Sequence, residues 1–525
     1  MINPAVCEGC GDCSVQSNCL SVTPVETEFG RKRRIDQSSC NKDYSCLKGH
    51  CPSFVTIHGG APRRRAGAIL DPGLFEGLPV PALPAIAGSY DVLIPGIGGT
   101  GVVTVGALLG MAAHLEGRGV SIYDMTGLAQ KGGAVFSHVR LTARPGEAVA
   151  ARIGAGQANL ILGCDLVVAA GRDTLGTVAA GQTAAVVNGA LVPTAAFQQQ
   201  PDVDFQQPAM LSALRRAIGD ARCHLFDATS ASQRLLGNSI GANMVLVGYA
   251  WQLGLLPIGL EAIERAIALN GVQVEFNLQA IRLGRVAAAA PDRLESLLGG
   301  QVPAAPKALA ELVADRERIL TDYQDAAYAR RYRTLVDRVA ALEHERTPGQ
   351  QGLTEAVARH YFKLLAYKDE YEVARLYSSE TFKRQLADEF EGDYRVAINL
   401  APPLLARVDP KTGLTPKREY GTWVFGLFRV LRGMRRLRGT AFDLFGRSAE
   451  RKLERQLIVD YERLMDEVTS ILDDANHATA VRLAELPDRI RGYGHVKQGT
   501  LEAVRKLQTE LLGQLRVPAA GALAA

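Results

Sequence analysis

The chemistry of this chain is concentrated at its start, where seven of its nine cysteines fall within the first 51 residues. Crowded cysteines in a chain that shows no secretion signal are more typical of metal binding or redox chemistry than of disulfides. The same segment is short of large apolar residues, so bound metal has to replace the core that it cannot build. Cys164 and Cys223 stand apart, and we expect both to be buried thiols.

The crowded cysteines form two similar runs. In the first run Cys7, Cys10 and Cys13 are separated by two residues each, and Cys19 follows after five. The second run keeps the two-residue spacing, replaces the central cysteine by aspartate and ends in a cysteine followed by proline. Its members are Cys40, Asp43, Cys46 and Cys51. Such paired runs are typical of proteins that bind two iron–sulfur clusters.

Three thiolates of each run bind one cluster, whereas the remote cysteine ligates the other cluster of the pair. The rule predicts a first cluster on Cys7, Cys10, Cys13 and Cys51. It predicts a second cluster on Cys19, Cys40 and Cys46, with Asp43 in the fourth position. Oxygen is a poorer ligand for cluster iron than sulfur, so the second cluster has three possible forms. It is a [4Fe–4S] cluster with Asp43 or water as the fourth ligand, a [3Fe–4S] cluster that has lost that iron, or a cluster beside which Asp43 is only a solvated loop residue. Structural zinc prefers two short ligand pairs and fits the spacing less well.

The elements that must position these sites fall into three regions of different composition. After the cysteine segment, a linker rich in Pro and Gly leads into alternating β-branched runs and helical periods, which predict an α/β fold with a mostly parallel sheet. Strands are expected at residues 92–94, 120–123, 135–139, 166–169 and 184–187. Beyond Gln301 the strand signals fade, and Leu, Ala, Arg and Glu recur at helical spacing. We expect an all-α region there, with helices within residues 307–345 and 449–474.

A glycine-rich turn follows the first strand of the α/β region. Its glycines are Gly96, Gly98, Gly99 and Gly101, and it opens a helix expected to run from Val102 to His114. Such a turn lets the backbone approach a ligand and presents free helix amides to an anion. With Asp124 after the next strand, the pattern resembles a dinucleotide site, although close packing of strand on helix also requires glycines.

The sequence after Asp124 favours another interpretation. A polar loop containing Gln130, Lys131, Gly132 and Gly133 runs into a further strand. Together, the glycine turn and this loop resemble the gamma domain of pyruvate and indolepyruvate ferredoxin oxidoreductases. The cysteine segment resembles the cluster region of the large fused indolepyruvate enzymes, and the segments 365–371 and 489–495 are similar to their C-terminal domain.

The resemblance implies that this chain corresponds to the iron–sulfur, gamma and C-terminal helical parts of a fused enzyme and forms a separate subunit. No Gly-Asp-Gly signature for thiamine diphosphate is found, because Gly219-Asp220 and Gly392-Asp393 lack the second glycine. The resemblance therefore implies a partner subunit that carries thiamine diphosphate and magnesium, in an assembly with two copies of each subunit. It also implies electron transfer from an arylpyruvate to ferredoxin, with coenzyme A as the acyl acceptor. The expected organisation is a ferredoxin-like α+β module at 1–62, a linker at 63–87, the gamma-type domain at 88–295 and the helical domain at 296–525.

Net charge limits the classes of partner that this chain could bind. The net charge is +4 over 525 residues, which is too small to indicate nucleic acid or a membrane surface. No run reaches the length of a membrane span, so we expect a cytoplasmic protein. Local charge matters more: Arg31, Lys32, Arg33 and Arg34 form a basic run between the cysteine runs, in what resembles a hairpin connection. We predict that it docks acidic ferredoxin; a solvated face and a subunit contact are the alternatives.

Two other functions are compatible with the sequence. An independent flavin- or NAD(P)-dependent oxidoreductase with an iron–sulfur module would also use the glycine turn. A nucleic-acid-binding protein would use a second arginine-rich stretch, between Arg429 and Lys452. That stretch lacks aromatic platforms spaced for bases, and we interpret it as a solvated helix face or a subunit contact.

Overall fold

The structure is a computed structural model that describes residues 1–63, 70–127, 133–147, 149–191, 206–298, 307–401 and 416–516. The N-terminal segment is built from short elements joined by cysteine-bearing loops. It contains helix α1 (Asp12–Ser17) and four strands: β1 (Val22–Thr27), β2 (Gly30–Ile35), β3 (Val55–His58) and β4 (Ala61–Pro62). Strands β1 and β2 form an antiparallel hairpin.

A six-stranded sheet forms the centre of the α/β region. Its strands are β5 (Ser89–Ile97), β6 (Gly119–Thr126), β7 (Ala134–Thr142), β8 (Leu160–Gly163), β9 (Ala184–Asn188) and β10 (Cys223–Phe226). They lie in the order β10-β9-β8-β5-β7-β6. The pairs from β10 to β5 are parallel, whereas β7 pairs antiparallel with both β5 and β6. The sheet is therefore mixed: β7 runs against the other five strands, which refines the expectation of a mostly parallel sheet.

Apolar cores cover both faces of this sheet. On β5, Val92 and Ile94 face one core, while Leu93 and Ile97 face the other. The flanking helices are α2 (Val102–Leu115), α3 (Leu166–Ala169), α4 (Arg172–Leu175), α5 (Gln207–Ile218), α6 (Ala228–Leu235), α7 (Ala242–Gln252), α8 (Leu260–Asn270), α9 (Val274–Ala289) and α10 (Pro291–Leu297). Alternation along β5 thus places helices on both sides of the sheet, as in other α/β layer folds.

One predicted strand is a helix. Asp165 adopts an extended backbone and its Oδ1 accepts a hydrogen bond from the amide of Val168 at 2.9 Å, which caps Leu166–Ala169 as a helical turn. The neighbouring run Leu160–Gly163 forms the strand instead. Short apolar runs do not distinguish strand from buried helix by periodicity, and here an N-cap residue decides between them.

The C-terminal half is mainly helical, as expected. Its helices are α11 (Leu309–Tyr323), α12 (Ala326–Arg346), α13 (Gly352–Leu365), α14 (Glu370–Tyr377), α15 (Glu380–Glu389), α16 (Val424–Gly433), α17 (Ala449–Ser470), α18 (His477–Ala484) and α19 (Gly494–Leu515). It is not all-α, because it also contains β11 (Phe390–Glu391), β12 (Arg395–Leu400) and β13 (Arg418–Tyr420).

Two of these strands join the C-terminal half to the N-terminal segment. Strand β3 pairs antiparallel with β12, and β4 pairs with β11. Met1, Val6 and Val55 also share an apolar core with Tyr377 and Phe428. The cysteine segment therefore obtains from the helical half the apolar support that its own sequence lacks. None of the described helices is long and apolar enough to cross a membrane.

Candidate metal centres and a glycine-turn pocket

The first cysteine run lies in a loop that strand β2 crosses closely. Gly9 and Gly11 have φ of 72° and 77°, a region that favours glycine. A Cβ on Gly9 would stand 2.2 Å from the carbonyl oxygen of Arg31, so a larger residue there would displace β2. The amide of Gly9 donates to Cys7 Sγ at 3.3 Å, and such N–H···S bonds stabilise a thiolate and tune a cluster.

Cys51 reaches the same place from the second run. A Cβ on Gly49 would stand 2.8 Å from Cα of Cys13, so the chain before Cys51 packs directly on the first run. Burial raises the pKa of the Cys13 thiol well above its usual value, and the nearby thiols of Cys51, Cys7 and Cys10 add to the rise. The four thiols predicted for the first cluster are thus mutual neighbours.

The remaining cysteines of the segment form a second group. Burial raises the pKa of Cys46 to about 11, and the thiols of Cys19 and Cys40 contribute next, with Asp43 acting in the same direction. Cys19 is buried, while Cys40 and Cys46 are partly exposed. The thiols thus lie in two neighbourhoods, here named the first and second cysteine sets, and the binding of a cluster by either set stays a prediction.

Neither set resembles a site for a single ion. Among the described residues, no group of three or more His, Cys, Asp or Glu side chains stands close enough to hold one metal ion. In a [4Fe–4S] cluster, four cysteine thiolates bind the irons, each a different iron, so they surround a cube and do not meet at one atom. The donor sets, all thiol in the first and three thiols with a carboxylate in the second, fit clusters of this kind.

Asp43 lies at the exposed edge of the second set. Its Oδ1 accepts hydrogen bonds from the amide and hydroxyl of Ser45, at 3.0 and 2.8 Å, and its Oδ2 accepts one from Asn41 at 3.3 Å. Lys42 and Tyr44 on either side have φ of 58° and 57°. Left-handed backbone at such residues costs about 1–3 kcal/mol each and is common at functional sites. Ligation by Asp43 stays a prediction.

The basic run occupies strand β2 itself and not the connection of the hairpin. Lys32 and Arg33 are 6% and 1% exposed, and Arg33 lies beside the thiols of Cys13 and Cys7. Arg31 pairs with Glu26, and Arg34 is exposed. A docked protein could reach Arg31 and Arg34 but not the two buried side chains, so the docking prediction is reduced to those two arginines.

The helical half covers the first cysteine set through polar contacts with its backbone. The hydroxyl of Tyr493 donates to the carbonyl of Val6 at 2.7 Å, and Lys368 donates to the carbonyl of Cys7 at 3.2 Å. Neither residue has a predicted role of its own. Both lie in the segments 365–371 and 489–495, and their presence in those motifs is the signal that could have identified them.

The helical half also covers Cys51. The hydroxyl of Tyr377 donates to the carbonyl of Pro52 at 2.6 Å, and Lys417 donates to the carbonyl of Cys51 at 3.4 Å while its ammonium lies 4.3 Å from the ring centre of Phe54. Nothing in the sequence around Tyr377 or Lys417 signals these contacts, because they depend on the pairing of β3 with β12.

The glycine turn lines a pocket of about 360 Å³ at the carboxyl end of β5. Gly98, Gly99, Gly101 and Gly133 lie at its wall, and the amide of Gly98 donates to the carbonyl of Gly133 at 2.9 Å. Gly96 instead serves packing, since a Cβ there would stand 2.5 Å from Val102. The expected helix begins here as α2. Gln130, Lys131 and Gly132 lie outside the described residues.

Comparison with known families places the α/β region. Residues 91–287 match the family described as pyruvate ferredoxin/flavodoxin oxidoreductase. The match is confined to this part of the chain, which is similar to that oxidoreductase family. Residues 309–510 match a family of unknown function, DUF6537.

Individual relatives are subunits of larger enzymes. The chain is 28% identical over 206 residues to indolepyruvate oxidoreductase subunit IorB of Pyrococcus horikoshii, covering 38% of this chain and 96% of the relative. It is 26% identical over 199 residues to IorB of Archaeoglobus fulgidus, covering 37% and 92%. The gamma subunit of a keto/oxoacid ferredoxin oxidoreductase from Geobacter sulfurreducens is 20% identical, with a TM-score of 0.27 and coverage of 38% of this chain and 98% of that one. The family match and the two IorB relatives support a 2-oxoacid ferredoxin oxidoreductase subunit.

Proposed function

We propose that this chain is the electron-relaying subunit of an arylpyruvate, or indolepyruvate, ferredoxin oxidoreductase. The observation that carries the proposal is the joining of an oxidoreductase gamma-type domain to two separate cysteine sets in one chain. A partner subunit would hold thiamine diphosphate and magnesium. The overall reaction would convert a 2-oxoacid, coenzyme A and two oxidised ferredoxins into an acyl-coenzyme A, carbon dioxide, a proton and two reduced ferredoxins.

Cys7, Cys10, Cys13 and Cys51 would hold one iron–sulfur cluster, and Cys19, Cys40, Cys46 and Asp43 the other. When bound, these clusters supply one-electron transfer. The chain itself supplies an amide to Cys7 Sγ, the buried cation of Arg33 beside the first set, and a helical cover that limits the access of water. Buried positive charge and hydrogen bonds to sulfur both favour the reduced form of a cluster.

Contacts within the chain suggest the direction of the relay. Ser38, two residues before Cys40, hydrogen-bonds Ser239 of the α/β region at 3.2 Å. Asn243, at the start of α7, donates to the carbonyl of Thr100 in the glycine turn at 2.7 Å. The second set therefore adjoins the domain that would face the partner, while the first set adjoins the helical half. We propose entry through the second set and exit through the first.

Anaerobic purification with the thiamine-binding subunit tests this function. We expect iron and acid-labile sulfide for two clusters, and arylpyruvate-dependent reduction of both ferredoxin and methyl viologen. Cys51→Ser should remove the signal of one cluster in electron paramagnetic resonance (EPR). The matched control Cys223→Ser changes a cysteine outside the two sets and should retain both cluster signals. Iron for a single cluster would contradict the crossed assignment. Bound flavin or oxidation of NAD(P)H would instead support the independent oxidoreductase.

A further inference from the structure

Helix α16 presents an unusual outward face. Trp423, directly before the helix, and Leu427 and Val430 within it are 64%, 47% and 60% exposed. Their spacing of four and three residues places them on one side of the helix. Val424 and Phe428, on the inner side, are 2% and 4% exposed. The helix is thus apolar on two sides, only one of which is covered by the described part of this chain.

Two glycines on the same helix have no structural reason within the described residues. Gly426 and Gly433 adopt helical backbone, and a Cβ at either position would meet no atom within 4 Å. Glycine inside a helix is less stable than alanine by about 0.5–1 kcal/mol. Glycine at such positions allows another molecule to approach the helix backbone closely.

The charge around this face selects the kind of molecule. Arg429, Arg432 and Arg436 are exposed, whereas Asp443, the acidic residue among residues 421–449, is buried. Exposed aromatic and aliphatic side chains with arginines at their edge are typical of the binding sites of proteins. The excess of arginine favours an acidic partner and speeds its encounter.

The inner side of α16 leads directly to the first cysteine set. The ring of Phe428 stacks on that of Tyr377 with 5.8 Å between centroids. The hydroxyl of Tyr377 donates to the carbonyl of Pro52, the residue after Cys51. A protein docked on the outward face would therefore be separated from the first set by one helix and one aromatic contact.

We propose that the outward face of α16, formed by Trp423, Leu427 and Val430 with Arg429 and Arg432, docks the small acidic protein that accepts electrons from the first cysteine set. This inference rests on the proposed function and deepens it. It moves the main docking site away from β2, where half of the basic run is buried, to the region of unknown function.

Steady-state kinetics of the assembled enzyme test the site, with an acidic bacterial ferredoxin and methyl viologen as alternative acceptors. Arg429→Glu with Arg432→Glu should lower kcat/KM for ferredoxin at least about tenfold at low salt and leave methyl viologen reduction unchanged. Reversing the exposed pair Arg505 and Lys506 on α19 is the matched control and should change neither. Gly426→Gln should weaken ferredoxin binding without lowering the melting temperature.

The outcomes separate the two proposals. A wild-type complex that fails to reduce methyl viologen with arylpyruvate contradicts the proposed function. A complex that reduces both acceptors, with ferredoxin kinetics untouched by the α16 variants and slowed by Arg31→Glu with Arg34→Glu, overturns the docking site in favour of β2.

Other occupants of the face give different results. Co-sedimentation with vesicles of equal parts phosphatidylcholine and phosphatidylglycerol, lost in the arginine variant while ferredoxin kinetics stay normal, would assign the face to a membrane surface. Loss of a dimer in Trp423→Ser with Leu427→Ser, again with normal kinetics, would assign it to a second copy. Either result would overturn the inference.

Discussion

Arg438 lies in the arginine-rich stretch but is buried, and its replacement should be far more costly than that of its neighbours. Its guanidinium donates two hydrogen bonds to Asp369, at 2.6 and 2.9 Å, and one to the carbonyl of Tyr323 at 2.7 Å. It also lies 3.7 Å from the ring centre of Tyr323. Both charged side chains are 3% exposed. The pair joins the turn after α16 to the start of α14.

Removing one partner of a buried ion pair leaves the other charge without compensation and costs about 3–5 kcal/mol. We expect Arg438→Met to lower the free energy of unfolding by that amount. Arg436→Met, two residues away on an exposed side chain, is the control and should change it by less than about 0.5 kcal/mol.

Urea unfolding followed by far-ultraviolet circular dichroism measures both changes. A double-mutant cycle with Asp369→Asn sharpens the test, because the amide can still accept the helix-capping bond from Glu372 that Asp369 now accepts at 2.8 Å. The double variant should be clearly more stable than the sum of the single effects predicts. A cost below about 1 kcal/mol for Arg438→Met, or strict additivity, would refute the argument.

Three further predictions concern the metal site, the glycine loop and pH. The glycine loop, Gln130 to Gly133, is predicted to lie with the glycine turn at the interface with the thiamine-binding subunit. Asp43→Cys should suppress any [3Fe–4S] EPR signal seen after mild oxidation, since a fourth thiolate retains iron better than a carboxylate; an unchanged signal would exclude ligation at this position. Lys131→Ala should lower turnover or substrate affinity of the assembled enzyme roughly tenfold through loss of a contact to an anion, whereas unchanged kinetics would make the loop structural. Burial lowers the pKa of Lys363 to about 7, from its usual value of 10.5. Between these two pH values the unfolded chain binds more protons than the folded chain, so the free energy of unfolding rises with pH there. Lys363→Met should remove that rise in pH-dependent urea titrations, and an equal pH slope in both proteins would contradict the assignment.

Local sequence determined the features that depend on neighbouring residues. The cysteine spacings predicted two sets, and the glycines after β5 predicted the turn that opens α2, because both patterns act within a few residues of chain. The helices within residues 307–345 and 449–474 are present as α11, α12 and α17, since helical periodicity over long segments is a strong signal. Cys164 and Cys223 are buried, as expected for the two cysteines that lie outside the crowded segment.

Tertiary structure decided the rest, because it depends on contacts between distant segments. The burial of Lys32 and Arg33 follows from the packing of β2 against both the cysteine loop and the helical half, which a run of four cations does not reveal. The strands of the helical half were missed because β12 is stabilised by pairing with β3, more than 300 residues away in sequence. That pairing and the shared apolar core bring Tyr377, and with it helix α16, next to Cys51. A charged or apolar side chain has the same local sequence signal whether its neighbours are water or protein, and the fold alone supplies those neighbours.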